Sequence, residues 1–268
     1  MLDWLEVILL AFIQGFSEFL PISSSAHLVL PSLLFGWQDQ GLFFDVVVHV
    51  GTLGAVLLYF RREVHHMLLG DSSVSQLPGS RSDIWRLALA TVPIVVVGFF
   101  MADVVAAQLR GLEVIAITTI VFGLLLGASV LRSRYNDQAA TEITWVHALI
   151  IGCSQVFALI PGVSRSGITI TAGLWLGYTP AVVTRFSFLL SIPVIAGAIT
   201  FMLMESVAEG LMPVVSVPKL LCALLVAGAS AYWTIAFFFR LLDRWGLLPF
   251  VWYRLGLGAV LVLVLFVL

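Results

Sequence analysis

The sequence predicts an all-α polytopic membrane protein, with six transmembrane helices plus two re-entrant helix pairs in an inverted-topology repeat. Three observations predict it. The 268 residues are 61% hydrophobic and only 10% charged, with a mean hydropathy of +1.10, whereas a soluble domain carries roughly a quarter charged residues. Six apolar runs approach the ~20 residues that a hydrocarbon core requires. Two shorter apolar stretches, one in each half, break at a proline and restart on hydroxyl residues. The chain reads as a single membrane domain, 1–268, with a first repeat at about 1–131 and a second at about 145–268.

Taken in order, a short helix is expected near 3–20 and another near 24–35, hinged at Pro21. At about 1.5 Å per residue the second reaches only about 18 Å, too short to cross. Spans follow near 42–60, 86–105 and 112–131. A second short pair, near 145–160 and 165–178, is hinged at Pro161, and spans near 186–204, 219–239 and 250–268 complete the chain. The N-terminus carries Asp3 and Glu6 instead of a basic segment, and its apolar run meets Pro21, so no cleavable leader is expected. Cys153 and Cys222 both lie in apolar runs, which suggests small buried residues and no disulfide framework. A net charge of −2 gives no reason to expect a nucleic-acid partner.

The arginines set the orientation. Arg61, Arg62, Arg81 and Arg86 flank one loop, Arg132 and Arg134 a second, and Arg240 and Arg244 a third, with Arg185 just before a span. The opposite loops hold Arg110 and Lys219, and residues 1–41 contain no Lys or Arg. By the positive-inside rule the loops around 61–86, 132–144 and 240–249 are cytoplasmic. Both termini then lie outside. One short pair enters from outside and the other from the cytoplasm, the arrangement that places a polar site between broken helices.

Proline disfavours helical bonding at its own position and just before it, and a Ser two or three residues later caps a new helix. Ser23 or Ser24 should therefore start one helix and Ser164 the other. Free N–H groups and positive dipole ends would converge on the membrane centre, which favours an anion such as phosphate. The alternative is a pair of simple proline kinks. Arg165 weighs against that, because a guanidinium beside a helix start in the bilayer needs an anion to offset it. A bidentate phosphate would serve, with Ser166 and Thr169 as extra donors. An internal ion pair with Glu18 would serve as well.

Gln14 and Glu18 share one helical face, and an intramembrane carboxylate is a functional candidate. With phosphate and water oxygens they would suit Mg²⁺, or Ca²⁺ as the other oxygen-seeking option. Ser24 and His27, three residues apart, have the spacing of a nucleophile and a proton carrier. Asp45 and His49 share the mouth of the third helix, either beside the site or at the interface. His65, His66 and His147 read as solvated or interfacial, and the Trp and Tyr residues as an interfacial belt.

At these residues the chain resembles the undecaprenyl-pyrophosphate phosphatases of the bacitracin-resistance type. Gln14-Gly15-Phe16-Ser17-Glu18 matches the family's (E/Q)-x-x-x-E motif, and Pro21 through His27 its P-x-S-S-x-x-H stretch. Pro161, Gly162, Ser164, Arg165, Ser166 and Thr169 match P-G-x-S-R-S-x-x-T. Segments 44–52 and 186–193 also look like family sequence. Where many relatives have Thr-Gly, this chain has Ser25-Ala26. The resemblance implies hydrolysis of undecaprenyl pyrophosphate to the monophosphate and inorganic phosphate, recycling the lipid carrier of peptidoglycan synthesis. It also implies a divalent cation, a homodimer and a site opening to the outer face of the bacterial inner membrane. Carried over, Glu18 and Gln14 take the metal or base role. Ser24 is the nucleophile, with His27 as acid/base or rival nucleophile. Ser23, Gly162, Ser164, Arg165, Ser166 and Thr169 hold the phosphates. A lipid-phosphate flippase or anion transporter would use the same scaffold without a nucleophile, and is the rival class.

Overall fold

A computed structural model describes residues 2–38, 40–69, 81–133, 142–208, 210 and 215–267. Within them the chain is helical throughout. In order, the helices are α1 (Trp4–Ser17), α2 (Ser24–Phe35), α3 (Leu42–Tyr59), α4 (Arg61–Leu69), α5 (Arg81–Gln108) and α6 (Leu112–Ser133). After them come α7 (Trp145–Gln155), α8 (Arg165–Trp175), α9 (Pro180–Ala208), α10 (Val217–Trp245) and α11 (Leu248–Val267). The six expected spans correspond to α3, α5, α6, α9, α10 and α11, each long and apolar enough to cross a membrane. The protein is a multi-pass membrane protein.

The four short helices form where the punctuation predicts. Asp3 caps α1 in a reciprocal box with Glu6, and the Thr144 hydroxyl caps α7 by accepting the His147 N–H. The apolar run leading to Pro161 is shorter as α-helix than expected. It tightens into a single 3₁₀ turn at Val156–Leu159, because a residue preceding proline is biased away from helical geometry.

One element departs from the sequence reading, which left 61–86 as a loop. Residues 61–69 form α4, whose Met67 is buried and whose Glu63 pairs with Arg185 of α9. Charged residues at its start hid the helix from a hydropathy reading. Arg134 and the side chain of Arg81, both used for orientation, lie outside the described residues.

Helices pack where glycine lets backbones meet, as is usual without a hydrophobic drive between membrane helices. A Cβ on Gly15 of α1 would come within 2.3 Å of the Ala227 carbonyl of α10, and one on Gly152 of α7 within 2.4 Å of the Ala90 carbonyl of α5. The main core joins both halves of the chain. Its aromatic part, Phe19, Phe60, Phe188, Phe238 and Phe250, is tiled ring against ring, starting from Phe19 just before the first proline break.

Candidate active site

The two breaks fold onto each other. Ser23 and Ser164, the residues just before α2 and α8, both have positive φ, at 74° and 71°, and no other non-glycine residue does so among the described residues. Such backbone costs on the order of 1–3 kcal/mol and persists only where the surroundings impose it. Here they do. The Gly162 N–H donates to Ser23 Oγ at 3.1 Å, and Ser166 Oγ donates to the Leu20 carbonyl at 2.8 Å. Gly162 itself sits at φ 93°, with room for no Cβ because Thr118 Oγ1 would lie 2.1 Å away.

Arg254 of α11 locks this junction, and the sequence reading passed over it. It is fully buried. Its five N–H donors reach five carbonyls: Pro21 and Val163 from one terminal nitrogen, Gly162 and Thr118 from the other, and Thr119 from Nε, at 2.7 to 3.4 Å. The negative ends of the peptide dipoles before α2 and α8 are thus turned toward a cation. The signal was present: an arginine inside the apolar run 250–268 is costly in lipid and calls for an explanation.

On this frame stands the Glu18 carboxylate, buried at the end of α1. Its Oε2 accepts from Ser24 Oγ at 2.6 Å and from Gln14 Nε2 at 2.9 Å. Its Oε1 accepts from Arg165 Nη2 at 3.2 Å, in a single-contact ion pair. Arg165 also donates to the Ser187 carbonyl at 3.1 Å and lies over the Phe19 ring. The four residues Gln14, Glu18, Ser24 and Arg165 therefore form one hydrogen-bonded cluster, joining the two motifs.

The other candidates occupy different places. Ser164 caps α8 by accepting the Gly167 N–H, and Thr169 bonds Ser187 Oγ at 2.7 Å. Ser23, Ser164 and Ser166 tie the breaks together, whereas Thr169 ties α8 to α9. His27 is not brought to Ser24 by any described hydrogen bond. Its Nδ1 bonds the Ser23 carbonyl at 2.7 Å, and its Nε2 faces the Tyr253 hydroxyl at 2.6 Å. A carbonyl only accepts, so neutral His27 carries its proton on Nδ1 and receives the tyrosine proton on Nε2. One turn of helix puts the serine and the histidine on adjacent faces, and the ring follows the face toward α11. His147 bonds Tyr178.

A cavity of about 470 Å³ opens beside the cluster. Its polar end is walled by Gln14, Ser24, Ser25, Gln40, Asp45 and His49, so the Asp45 and His49 pair left open in sequence belongs to the site's surroundings. Gln40 donates to Asp45 at 3.1 Å. Gln14 Oε1 is buried with no partner, a condition that native proteins keep mainly where a ligand or water is received.

Comparison with known proteins agrees with the motifs. A family model described as "Bacitracin resistance protein BacA" matches residues 7–260. An undecaprenyl-diphosphatase of Chromohalobacter salexigens is 51% identical over 266 residues, covering 97% of this chain and 98% of its own. One of Alcanivorax borkumensis is 49% identical over 263 residues, with the same coverage of both chains. With its two hydroxyl-rich breaks both inside the matched region, the chain belongs to the BacA family of bacitracin resistance proteins.

Proposed function

We propose that this chain hydrolyses undecaprenyl pyrophosphate to undecaprenyl phosphate and inorganic phosphate. That reaction recycles the lipid carrier for peptidoglycan synthesis and gives bacitracin resistance. The observation that carries the reading is the Glu18 carboxylate, bonded to the Ser24 hydroxyl on one oxygen and to Arg165 on the other. Phosphoryl transfer asks a protein mainly for positioning and charge neutralisation, and a base, a hydroxyl and a guanidinium in contact supply both.

In this mechanism Ser24 Oγ attacks the terminal phosphorus while its proton passes to Glu18. The bond from that phosphorus to the bridging oxygen breaks, and undecaprenyl phosphate leaves with the electron pair. Water then cleaves the phosphoserine, releasing inorganic phosphate and restoring the hydroxyl. Arg165 shifts from Glu18 to the phosphates, and the starts of α2 and α8 face them with their positive dipole ends. Ser24 is preferred to His27 as nucleophile because Ser24 touches the base and the cavity, whereas both His27 nitrogens are engaged elsewhere.

A divalent cation, Mg²⁺ or Ca²⁺, belongs to the same proposal. The unpartnered Gln14 oxygen is a hard donor at the cavity's polar end, and Glu18, bonded to Gln14 and Ser24 of that wall, is a second; no group of three or more His, Cys, Asp or Glu residues stands ready as a metal cage among the described residues. Gln14 and Glu18 would hold the ion with phosphate oxygens and water completing it, and its charge would offset the diphosphate.

The site is proposed to open to the outer face of the bacterial inner membrane, with both termini on that side. The cavity lies along the ends of α3, α5 and α9 remote from Arg61, Arg86 and Arg185. The inverted repeat is supported by recurrence at one common spacing of the caps Asp3 and Thr144, the starts Trp4 and Trp145, the buried Gln14 and Gln155, and the strained Ser23 and Ser164. The homodimer rests on the resemblance and is decided by the mass of the purified protein in detergent.

The test is phosphate release from undecaprenyl pyrophosphate by purified protein, with and without Mg²⁺. Ser24→Ala should still bind substrate while kcat falls on the order of a hundredfold or more, the pattern of an interaction made only by the reacting state. Normal turnover by Ser24→Ala with a dead His27→Ala would move the nucleophile to the imidazole. No phosphate release by the native protein would sink the reading.

A further inference from the structure

Hydrolysis through a phosphoserine moves two protons, and Glu18 can hold only one of them. In the first half-reaction Glu18 accepts the Ser24 proton. In the second, Ser24 Oγ is the leaving group and takes that proton back. The attacking water must give up a proton at the same moment, while Glu18 is acting as an acid. A second acceptor on the cavity wall would take it.

His49 of α3 has the geometry of that acceptor. Its Nδ1 bonds the Asp45 carbonyl, one turn back on the same helix, at 2.7 Å. A carbonyl only accepts, so the neutral ring carries its proton on Nδ1 and bears a lone pair on Nε2. Nε2 has no hydrogen-bond partner among the described residues. With Nδ1 turned back onto its own helix, the ring presents Nε2 away from it. His49 lines the cavity whose polar end also holds Gln14 and Ser24, and it lies within electrostatic reach of Glu18. The other groups nearby are taken. His27 has both nitrogens engaged, by the Ser23 carbonyl and the Tyr253 hydroxyl. Asp45, the acid on the same wall, already accepts from Gln40 at 3.1 Å.

The backbone that carries His49 is held in place. Thr52 Oγ1 donates to the His49 carbonyl at 3.0 Å. On the next turn of chain, a Cβ on Gly51 would come within 2.5 Å of the Leu224 carbonyl of α10. α3 is thus pinned against α10 beside the histidine. The ring stands on a rigid element, which is what a group that must meet a reacting atom needs.

We propose that His49 is the base of the second half-reaction, taking the proton of the water that cleaves the phosphoserine on Ser24. The proposal rests on the hydrolase reading above, with Ser24 as nucleophile. The water oxygen bonds to phosphorus as the bond from phosphorus to Ser24 Oγ breaks. The electron pair of that bond stays on Oγ, which recovers its proton from Glu18. The water proton passes to His49 Nε2. Inorganic phosphate leaves, and the imidazolium returns its proton to solvent through the cavity. Glu18 serves the serine and His49 serves the water.

The experiment mixes purified protein in detergent with undecaprenyl pyrophosphate radiolabelled in its terminal phosphate and quenches the reaction in acid at short times. His49→Ala should give a burst of undecaprenyl phosphate close to one per protein molecule and leave the label on Ser24. Phosphate release should then run about a hundredfold below native, within the range of a lost general base. Added imidazole should speed that slow phase about tenfold without changing the burst. His49→Gln keeps much of the bulk of the side chain but takes up no proton. It should show the same burst, so a folding defect confined to the alanine variant does not decide the matter. Native phosphate release by either variant would overturn His49 as the base. So would equal slowing of the burst and the slow phase in a variant that unfolds at the native temperature. Hydrolysis with no label on native protein or on either variant would remove the covalent role of Ser24 and His49 with it. No hydrolysis by the native protein would remove the hydrolase reading itself.

Discussion

Arg254→Lys keeps the charge and removes the fork. Arginine offers five N–H donors in a fixed plane, and lysine offers three on one nitrogen. Five carbonyls converge on Arg254, from Pro21, Gly162 and Val163 at the breaks and from Thr118 and Thr119 of α6. At least two must lose their partner in the variant. A buried polar group left unsatisfied costs about 1–3 kcal/mol, so the loss is about 2–6 kcal/mol. It falls on the loops that place Ser24 and Arg165. Those freed carbonyls can also swing toward the cavity, where they would repel phosphate. The expected outcome is a lower unfolding temperature in detergent and a loss of thirtyfold or more in kcat/KM. Arg254→Met tests the other half: it removes all five donors and leaves all five carbonyls without them, so its fold should suffer at least as much as that of the lysine variant. Turnover within threefold of native by Arg254→Lys, at an unchanged unfolding temperature, would refute the view that the fork organises the site.

Two further outcomes follow from the same geometry. Glu18→Gln breaks the ion pair with Arg165, so in chelator a non-hydrolysable diphosphonate should bind at least tenfold tighter while turnover collapses; unchanged or weaker binding would show that the pair does not compete with phosphate. Ser23→Gly relieves the strained backbone and Ser23→Ala keeps it, while both lose the Gly162 bond, so the alanine variant should be less stable by about 1 kcal/mol; thermal unfolding decides, and an alanine variant at least as stable as the glycine one refutes the strain.

Much of the fold is legible because the bilayer leaves few options. A run of apolar residues long enough to span has to be helical, and the bounds of α3, α6 and α11 follow directly from their runs. Punctuation is legible too: Pro21 with Ser23, and Pro161 with Ser164, fix where α2 and α8 begin. What was not legible depends on partners distant in sequence. α4 exists because Glu63 finds Arg185 and Met67 finds a buried place, neither of which shows in local hydropathy. Ser166 and Thr169 have the spacing of phosphate donors on α8, but their hydroxyls are taken by the Leu20 carbonyl and by Ser187. His27 has the spacing of a partner to Ser24, but Tyr253, contributed by the last helix, claims its ring.

The Glu18–Arg165 contact realises the ion-pair reading of the sequence and is compatible with the proposed phosphate role of Arg165. An arginine and a glutamate in the bilayer were expected either to pair or to serve phosphate, as if the two excluded each other. The geometry shows why they need not. The carboxylate is met by one nitrogen at 3.2 Å, without the fork-on-fork bidentate match that makes such bonds strong, and the same nitrogen also reaches the Glu18 carbonyl at 3.5 Å. Each partner is held from another side, Arg165 by the Ser187 carbonyl and Glu18 by Ser24 and Gln14. A monodentate contact between two side chains that are also anchored elsewhere can part with little motion. It shields a cation and an anion that would be costly to bury alone, and under the proposed function it would yield when a dianionic phosphate offers the guanidinium a better partner. In that proposal the departure of Arg165 would free the Glu18 oxygen it holds at the moment Ser24 gives up its proton. Substrate binding would thereby switch on the base, and an empty site would keep its charges paired.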